Sequence, residues 1–314
     1  MKQAKIFLIV LILIANLAAK SEILDSMATG GRLFSNSAFD SLLIPLKRAG
    51  NLLLIEVIID GEYGNLIFDS GAAAELVLNQ TYFRNHRKCG SKQITGINGL
   101  AERIDVIKVD SLVMCEQTSS GIKADLLDLS HIENSKGIKV LGFFGLQLLN
   151  EFEIVLSIDK QELQLFRTDK KGNSNNPNTV VFDYSQRITI SNNVLFLWAF
   201  VGGKELRFCL DTGAETNVIS NTTPKKVLST VSINGRIKVS DAGSRNNEML
   251  FGTMNDFMLG TQKIDNMKTV ITGLGSLSEI YGIRIDGVLG YEFLIQGKIF
   301  INCKKQNFGI CFTK

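Results

Sequence analysis

The sequence predicts an all-β protein of two lobes, and three observations carry that expectation. Runs rich in Val, Ile, Leu and Phe recur at short intervals with glycine turns between them, and long windows of helical period are few. A segment of the first half returns in the second at a constant offset. Between the copies, residues 168–179 (TDKKGNSNNPNT) are polar, Asn-rich and interrupted by Pro177, which is linker composition. The chain has 314 residues, 45% hydrophobic and 21% charged, enough apolar material for a large core. At about 150 residues per domain, two units are expected.

The first element is an export-type segment. Residues 6–19 (IFLIVLILIANLAA) follow a basic start holding Lys2 and Lys5. This almost wholly apolar stretch of 14 residues falls short of the roughly 20 that a bilayer-spanning helix needs. Residues 1–19 therefore read as a cleaved signal peptide, with a periplasmic or secreted mature protein; the alternative is a membrane anchor formed by residues 6–19. The expected organisation continues with an N-terminal extension at 20–44, a first lobe at 45–167, the linker at 168–179 and a second lobe at 180–314.

Charge and cysteine usage exclude several chemistries. Beyond residue 19 the chain holds 32 Lys and Arg against 31 Asp and Glu, a formal charge of +1, so nothing marks a nucleic-acid footprint. Five cysteines without a C-x-x-C pair, and only His86 and His131, leave little for a zinc site. No metal and no cofactor is expected. Cys303 and Cys311 flank a segment suited to joining antiparallel strands and could bridge it, with Cys89 and Cys115 as the other plausible pair. Cys209 reads as a buried free thiol. The alternative is that all five are unpaired.

The repeat sets residues 51–72 (NLLLIEVIIDGEYGNLIFDSGA) against 193–214 (NVLFLWAFVGGKELRFCLDTGA) without a gap, at an offset of 142. Asn51/Asn193, Leu53/Leu195, Gly61/Gly203, Asp69/Asp211, Gly71/Gly213 and Ala72/Ala214 are identical. Each copy reads as an apolar strand, a glycine turn and a second strand ending in Asp. Trp198 stands where the first copy has Glu56, and it is expected in the core or at the lobe interface. Farther on, Leu76-Val77 answers Val218-Ile219, and Val140-Leu141-Gly142 answers Val288-Leu289-Gly290. Short helix-capable stretches follow at 143–151 and 291–296, and each half ends in a β-rich segment, 154–166 and 298–312.

One D-[ST]-G triplet is an ordinary turn signal; two at the same place in a repeat point to chemistry. An Asp delivered by a buried strand needs dedicated donors. Gly71 and Gly213 let the backbone turn with its amides aimed at the carboxylate, and Ser70 and Thr212 offer hydroxyls to the opposite loop. If the lobes pack about a pseudo-twofold axis, Asp69 and Asp211 become neighbours that hold one proton between them. That divides general base from general acid.

On the motifs LIFDSGAAAELVL and RFCLDTGAETNVIS, each with its later V-L-G, the chain resembles pepsin/retropepsin-type aspartic peptidases. It looks most like bacterial retropepsin-like proteins with two fused lobes. The resemblance spans about residues 45–314. It implies a pepsin-like acid-protease fold, Asp69 and Asp211 as catalytic residues, and Ser70, Gly71, Thr212 and Gly213 as catalytic-loop support. It further implies that Gly142 and Gly290 let a crossing chain pack on the catalytic loops. A flap over the substrate is expected at Ile94–Gly99 with Gly96 and Gly99, and Asp241–Ser244 holds the comparable place in the second half. Two departures stand out. The acidic position four residues after each Asp is Glu215 in the second half but Ala73 in the first, and no flap tyrosine is evident near Ile97 or Leu100. An asymmetric cleft is expected, with Ala73 and Glu215 beside substrate. The implied partner is a peptide or protein, with no nucleic acid and no membrane beyond the export signal. The implied state is a monomer, with a dimer pairing the dyad between chains as the alternative. The rival reading is a non-catalytic peptide-binding or scaffold protein on the same fold.

Overall fold

Each half is built around the hairpin that the repeat encodes. In the computed structural model, which describes residues 33–34, 39–95, 101–240 and 246–313, strand Leu52–Ile59 pairs antiparallel with Glu62–Phe68. Strand Val194–Val201 pairs with Lys204–Leu210 in the same way. The connecting turns need left-handed backbone, at φ +86° for Gly61 and at +57° and +69° for Gly202 and Gly203. Both faces of the first strand are covered over its first half, because Leu53, Ile55 and Val57 enter the main core while Leu52 and Leu54 join a second cluster. Such strands read as continuous apolar runs rather than alternating ones.

The hairpins sit in two ten-stranded sheets with the same strand order. In the first, Leu76–Asn79 lies beside Val140–Phe144, which lies parallel to Glu62–Phe68. In the second, Asn217–Ser220 lies beside Gly287–Leu289, parallel to Lys204–Leu210. Helices Ser130–Lys136 and Gly275–Tyr281 occupy matching places, each stopped by a left-handed glycine, Gly137 and Gly282.

A six-stranded sheet joins the halves. Its order runs Ser41–Pro45, Glu162–Arg167, Phe152–Ser157, Gly297–Asn302, Asn307–Phe312 and Tyr184–Arg187. The central pairing, Phe152–Ser157 against Gly297–Asn302, comes from opposite halves. One apolar core continues across this junction and takes Phe68, Phe144 and Phe152 from one half and Phe208, Phe293 and Phe308 from the other. The polar connection is pinned by turns. Asp169 Oδ1 accepts from the backbone amides of Lys171 and Asn173, and Thr168 bridges Ser174. The architecture is all-β and two-lobed, of the pepsin-like plan.

Two expectations are corrected. All five cysteines are unpaired. The hairpin register sets Cys311 opposite Lys298, several residues from Cys303, which removes the geometry for a cross-strand bridge. Trp198 is 37% exposed rather than buried. It lies on the outer face of its strand between buried Leu197 and Ala199, with the Arg207 guanidinium 4.4 Å over its ring. The signal segment and residues 20–32 lie outside the described residues. Among those described, no helix is long and apolar enough to cross a membrane.

Candidate active site

The two Asp residues are placed by strands whose ends are held on both sides. Phe68 and Leu210 close their hairpins and lie beside Phe144 and Leu289 of the crossing strands. The Asp69 amide donates to the Phe144 carbonyl and the Asp211 amide to that of Leu289, both at 3.0 Å. The chain then turns back on itself, and each carboxylate accepts from the glycine two residues on. Gly71 N reaches Asp69 Oδ1 at 2.9 Å, and Gly213 N reaches Asp211 Oδ1 at 2.8 Å.

Ser70 and Thr212 lock the loops together. The Ser70 hydroxyl donates to the Leu210 carbonyl at 2.9 Å and accepts from the Thr212 amide at 2.9 Å. The Thr212 hydroxyl donates to the Phe68 carbonyl at 2.7 Å and accepts from the Ser70 amide at 2.8 Å. All four bonds are buried, so each hydroxyl satisfies backbone groups of the opposite half that water cannot reach. This interlock brings the carboxyls face to face. A Cβ on Gly71 would lie 2.5 Å from Asp211 Cγ, and one on Gly213 would lie 2.7 Å from Asp69 Cγ. Only glycine fits at either position.

Both carboxyls are 1% exposed, and their electrostatics follow from that burial. Loss of water pushes Asp69 well above the usual carboxylate range, and the neighbouring Asp211 charge pushes it further. Burial also raises Asp211, to about 6, against the hydrogen bond from Asp69 and the amides of Gly213, Ala214 and Gly71. Both carboxyls are thus raised by burial, and the pair titrates as one unit that holds a proton between its two members. Asp69 Oδ2 is buried and accepts no hydrogen bond from an amide or hydroxyl of the protein. An ionised and a protonated carboxyl side by side can take a proton from one reactant and give one to another.

The glycine that seats the crossing chain on each loop is where sequence reasoning slipped. Gly290 fulfils the expectation, since a Cβ there would meet the Ala214 and Thr216 carbonyl oxygens at 2.5 and 2.6 Å. In the first half that contact belongs to Gly145, whose Cβ would meet the Ala74 and Ala72 oxygens at 2.6 and 2.7 Å. Gly142 packs instead on Val77 of the adjacent strand, and its counterpart is Gly287. The true match sets Gly142-Phe-Phe-Gly145 against Gly287-Val-Leu-Gly290, so the shared string V-L-G was out of register by three.

Glu215 and Ala73 lie where the lobes touch. The Glu215 carboxylate pairs with Lys136 Nζ at 2.5 Å and accepts from the Asn51 amide at 3.1 Å, and its backbone carbonyl accepts from Asn51 Nδ2. Both oxygens are thereby taken up within the protein. The Ala73 carbonyl accepts from Asn193 Nδ2 at 3.0 Å, and its methyl joins a second-lobe cluster containing Cys209 and Tyr281. Sequence reasoning missed Lys136 and Tyr281. Gly96, Gly99 and Asp241–Ser244 lie outside the described residues. The strands leading to them, Lys88–Thr95 with Ala101–Val109 and Val231–Ser240 with Asn246–Met254, form antiparallel hairpins. Among the described residues, no group of three or more His, Cys, Asp or Glu side chains is arranged to hold a metal ion.

Comparison with known proteins agrees with this geometry. Residues 199–293 match the model of the aspartyl protease family. The aspartic proteinase from Irpex lacteus superposes with a TM-score of 0.54 at 12% identity, covering 87% of this chain and 98% of that one. The chain resembles aspartic peptidases of the pepsin/retropepsin type. The structure titled edgp gives a TM-score of 0.53 at 10% identity, over 87% of this chain and 95% of its own. Basic 7S globulin from soybean gives 0.50 at 10% identity, over 88% and 95%. At these identities the solved structures share the pepsin-type fold with this chain. No curated protein matches it in sequence.

Proposed function

We propose that the protein is an aspartic endopeptidase in which Asp69 and Asp211 act together on one water molecule. The observation that carries this reading is the mutual insertion of the two loops. Each Asp sits against the glycine of the other half, where a single added methyl group would collide with it. Such proximity, with both groups buried, favours the state with one proton shared between two carboxyls.

The step follows from that state. Asp211, as the carboxylate, takes a proton from water while the oxygen attacks the scissile carbonyl carbon. Asp69 gives its proton to the carbonyl oxygen, and a tetrahedral diol forms. Asp211 then returns its proton to the amide nitrogen while Asp69 takes one from a diol hydroxyl; the C–N bond breaks, acid and amine leave, and the pair is restored. Asp69→Asn and Asp211→Asn are each expected to lower cleavage of a peptide library by about 10²–10⁴-fold while the protein stays folded. Undiminished cleavage by either variant would end the shared-water reading.

A second reading has its own support. The carboxyls are nearly sealed from solvent, and one protein sharing the fold is named a globulin rather than a proteinase. A wild-type protein that binds peptides without cleaving them at any pH would select it. The apolar start of the chain supports export, which N-terminal sequencing of the mature protein checks.

A further inference from the structure

Six pairs of identical residues mark the repeat, and the fold and the dyad account for five of them. Leu53 and Leu195 are buried, Gly61 and Gly203 turn their hairpins, and the Asp, Gly and Ala of each half belong to the facing loops. The sixth pair, Asn51 and Asn193, stands eighteen residues ahead of each Asp. Both occupy the second position of a two-residue hairpin turn. Strand Lys47–Ala49 leads through Gly50 and Asn51 into Leu52–Ile59, and Thr189–Ser191 leads through Asn192 and Asn193 into Val194–Val201. The two turns differ in kind. Gly50 is left-handed in the first, at φ +63°, whereas Asn192 and Asn193 are both left-handed in the second, at +48° and +65°. Turn geometry therefore accounts for an Asn at 193 but does not call for one at 51. What the pair shares is where the carboxamide goes.

Each carboxamide crosses to the other lobe. Asn51 Nδ2 donates to the Glu215 carbonyl at 2.9 Å, and Asn193 Nδ2 donates to the Ala73 carbonyl at 3.0 Å. Glu215 and Ala73 are themselves counterparts in the repeat, each four residues after its Asp. Both ties carry a second hydrogen bond: the Asn51 amide donates to Glu215 Oε2 at 3.1 Å, and Asn193 Nδ2 also donates to Gln147 Oε1. Each Asp loop is thus held at three successive points. The crossing strand holds its Asp, the opposite hydroxyl holds the residue after it, and the opposite Asn holds the residue four on. A central interlock by itself leaves two bodies free to rock about it, and a tie on either side resists that motion. We infer that Asn51 and Asn193 are positioning residues of the site. Each fixes the exit of the opposite half's Asp loop, and together they set the separation of the two carboxyls.

The inference rests on the peptidase reading, and two readouts keep them apart. Asn51→Ala and Asn193→Gly each remove one carboxamide, and Gly keeps the left-handed turn. Asn192→Gly, at the exposed neighbour in the same turn, is the control. On one cleaved peptide, both test variants are expected to lose about tenfold to a hundredfold in kcat with KM held within about twofold, because the loss falls on the placement of reacting groups. The control should keep both constants. Carboxyl-carbon NMR of the ligand-free proteins, labelled at Asp, reads the pair without any substrate. Its two linked transitions should draw closer together in both test variants and stay as in wild type in the control. A merely structural Asn would lower the melting temperature and leave this coupling in place. Should one variant not fold, the other tests the same claim from the opposite lobe. Wild-type kcat together with a wild-type titration in folded variants would overturn the inference and leave the peptidase reading intact. If wild type cleaves nothing, the peptidase reading falls, and an unchanged titration in the variants would still overturn the positioning role.

Discussion

The two halves share a backbone plan and differ where their wall helices meet the opposite loop. Lys136 and Tyr281 are the last residues of matching helices. Lys136 reaches across to Glu215, four residues after Asp211, and both side chains are 11% exposed. Tyr281 and Ala73, the latter four residues after Asp69, belong to one apolar cluster. One side of the site is thus closed by a polar contact between the lobes and the other by an apolar one. Around them the parts that place the Asp residues are equivalent, from the crossed hydroxyls to the glycine amides. The dyad is held symmetrically, and what surrounds it is not. A single chain carrying both halves can set each side independently.

The symmetric part should fail symmetrically, and its failure should be the largest effect. Gly71→Ala and Gly213→Ala each drive a methyl group into the opposite carboxyl. Each is expected to reduce peptide cleavage by about 10²-fold or more, because misplacement by about an ångström is enough. Steady-state kinetics of the two variants side by side would show whether the halves contribute equally.

A smaller effect concerns pH. Asp211 titrates near 6 in the folded protein, above its unfolded value of 3.8, so between these values the native state binds more protons than the unfolded one. Stability is then greatest below the unfolded value and falls as pH rises through the folded one. Asp211→Asn removes this dependence and is expected to raise the denaturation midpoint above that of wild type at pH 7, with no gain at pH 3. Denaturant titrations at the two pH values check it.

The asymmetric part gives the smallest effect. Lys136→Met leaves Glu215 half-partnered at the lobe contact and is expected to cost about 1–3 kcal/mol. Truncating Ala73 to Gly on the other side has no ion pair to break. Thermal unfolding of both variants would sharpen or erase the contrast.

What the sequence discloses about this molecule follows from how local each feature is. Hairpins, the turns at Gly61 and Gly203 and the paired Asp loops are short-range patterns, and a constant offset of 142 makes them visible. Gly145 was harder to see, because Phe143-Phe144 fills the place held by Val288-Leu289 and the nearby string at 140–142 offers a false match. Only the pairing of Gly145 with the Ala72 and Ala74 carbonyls restores the register. Lys136–Glu215 joins residues 79 positions apart, and the cluster that holds Tyr281 also takes Ala73, 208 positions away; no local periodicity encodes such contacts. The cysteines suggested bridges by their spacing alone, whereas strand register decides whether side chains face each other.

The central claim is that two carboxyls from opposite halves behave as one proton-holding unit. Carboxyl-carbon NMR of the ligand-free protein, labelled at Asp and compared with Asp69→Asn and Asp211→Asn for assignment, measures this directly. Two linked transitions are predicted, both raised above the ordinary carboxylate range and one of them near pH 6, with one proton retained between them. Independent titration of both groups near 3.8 would contradict the account.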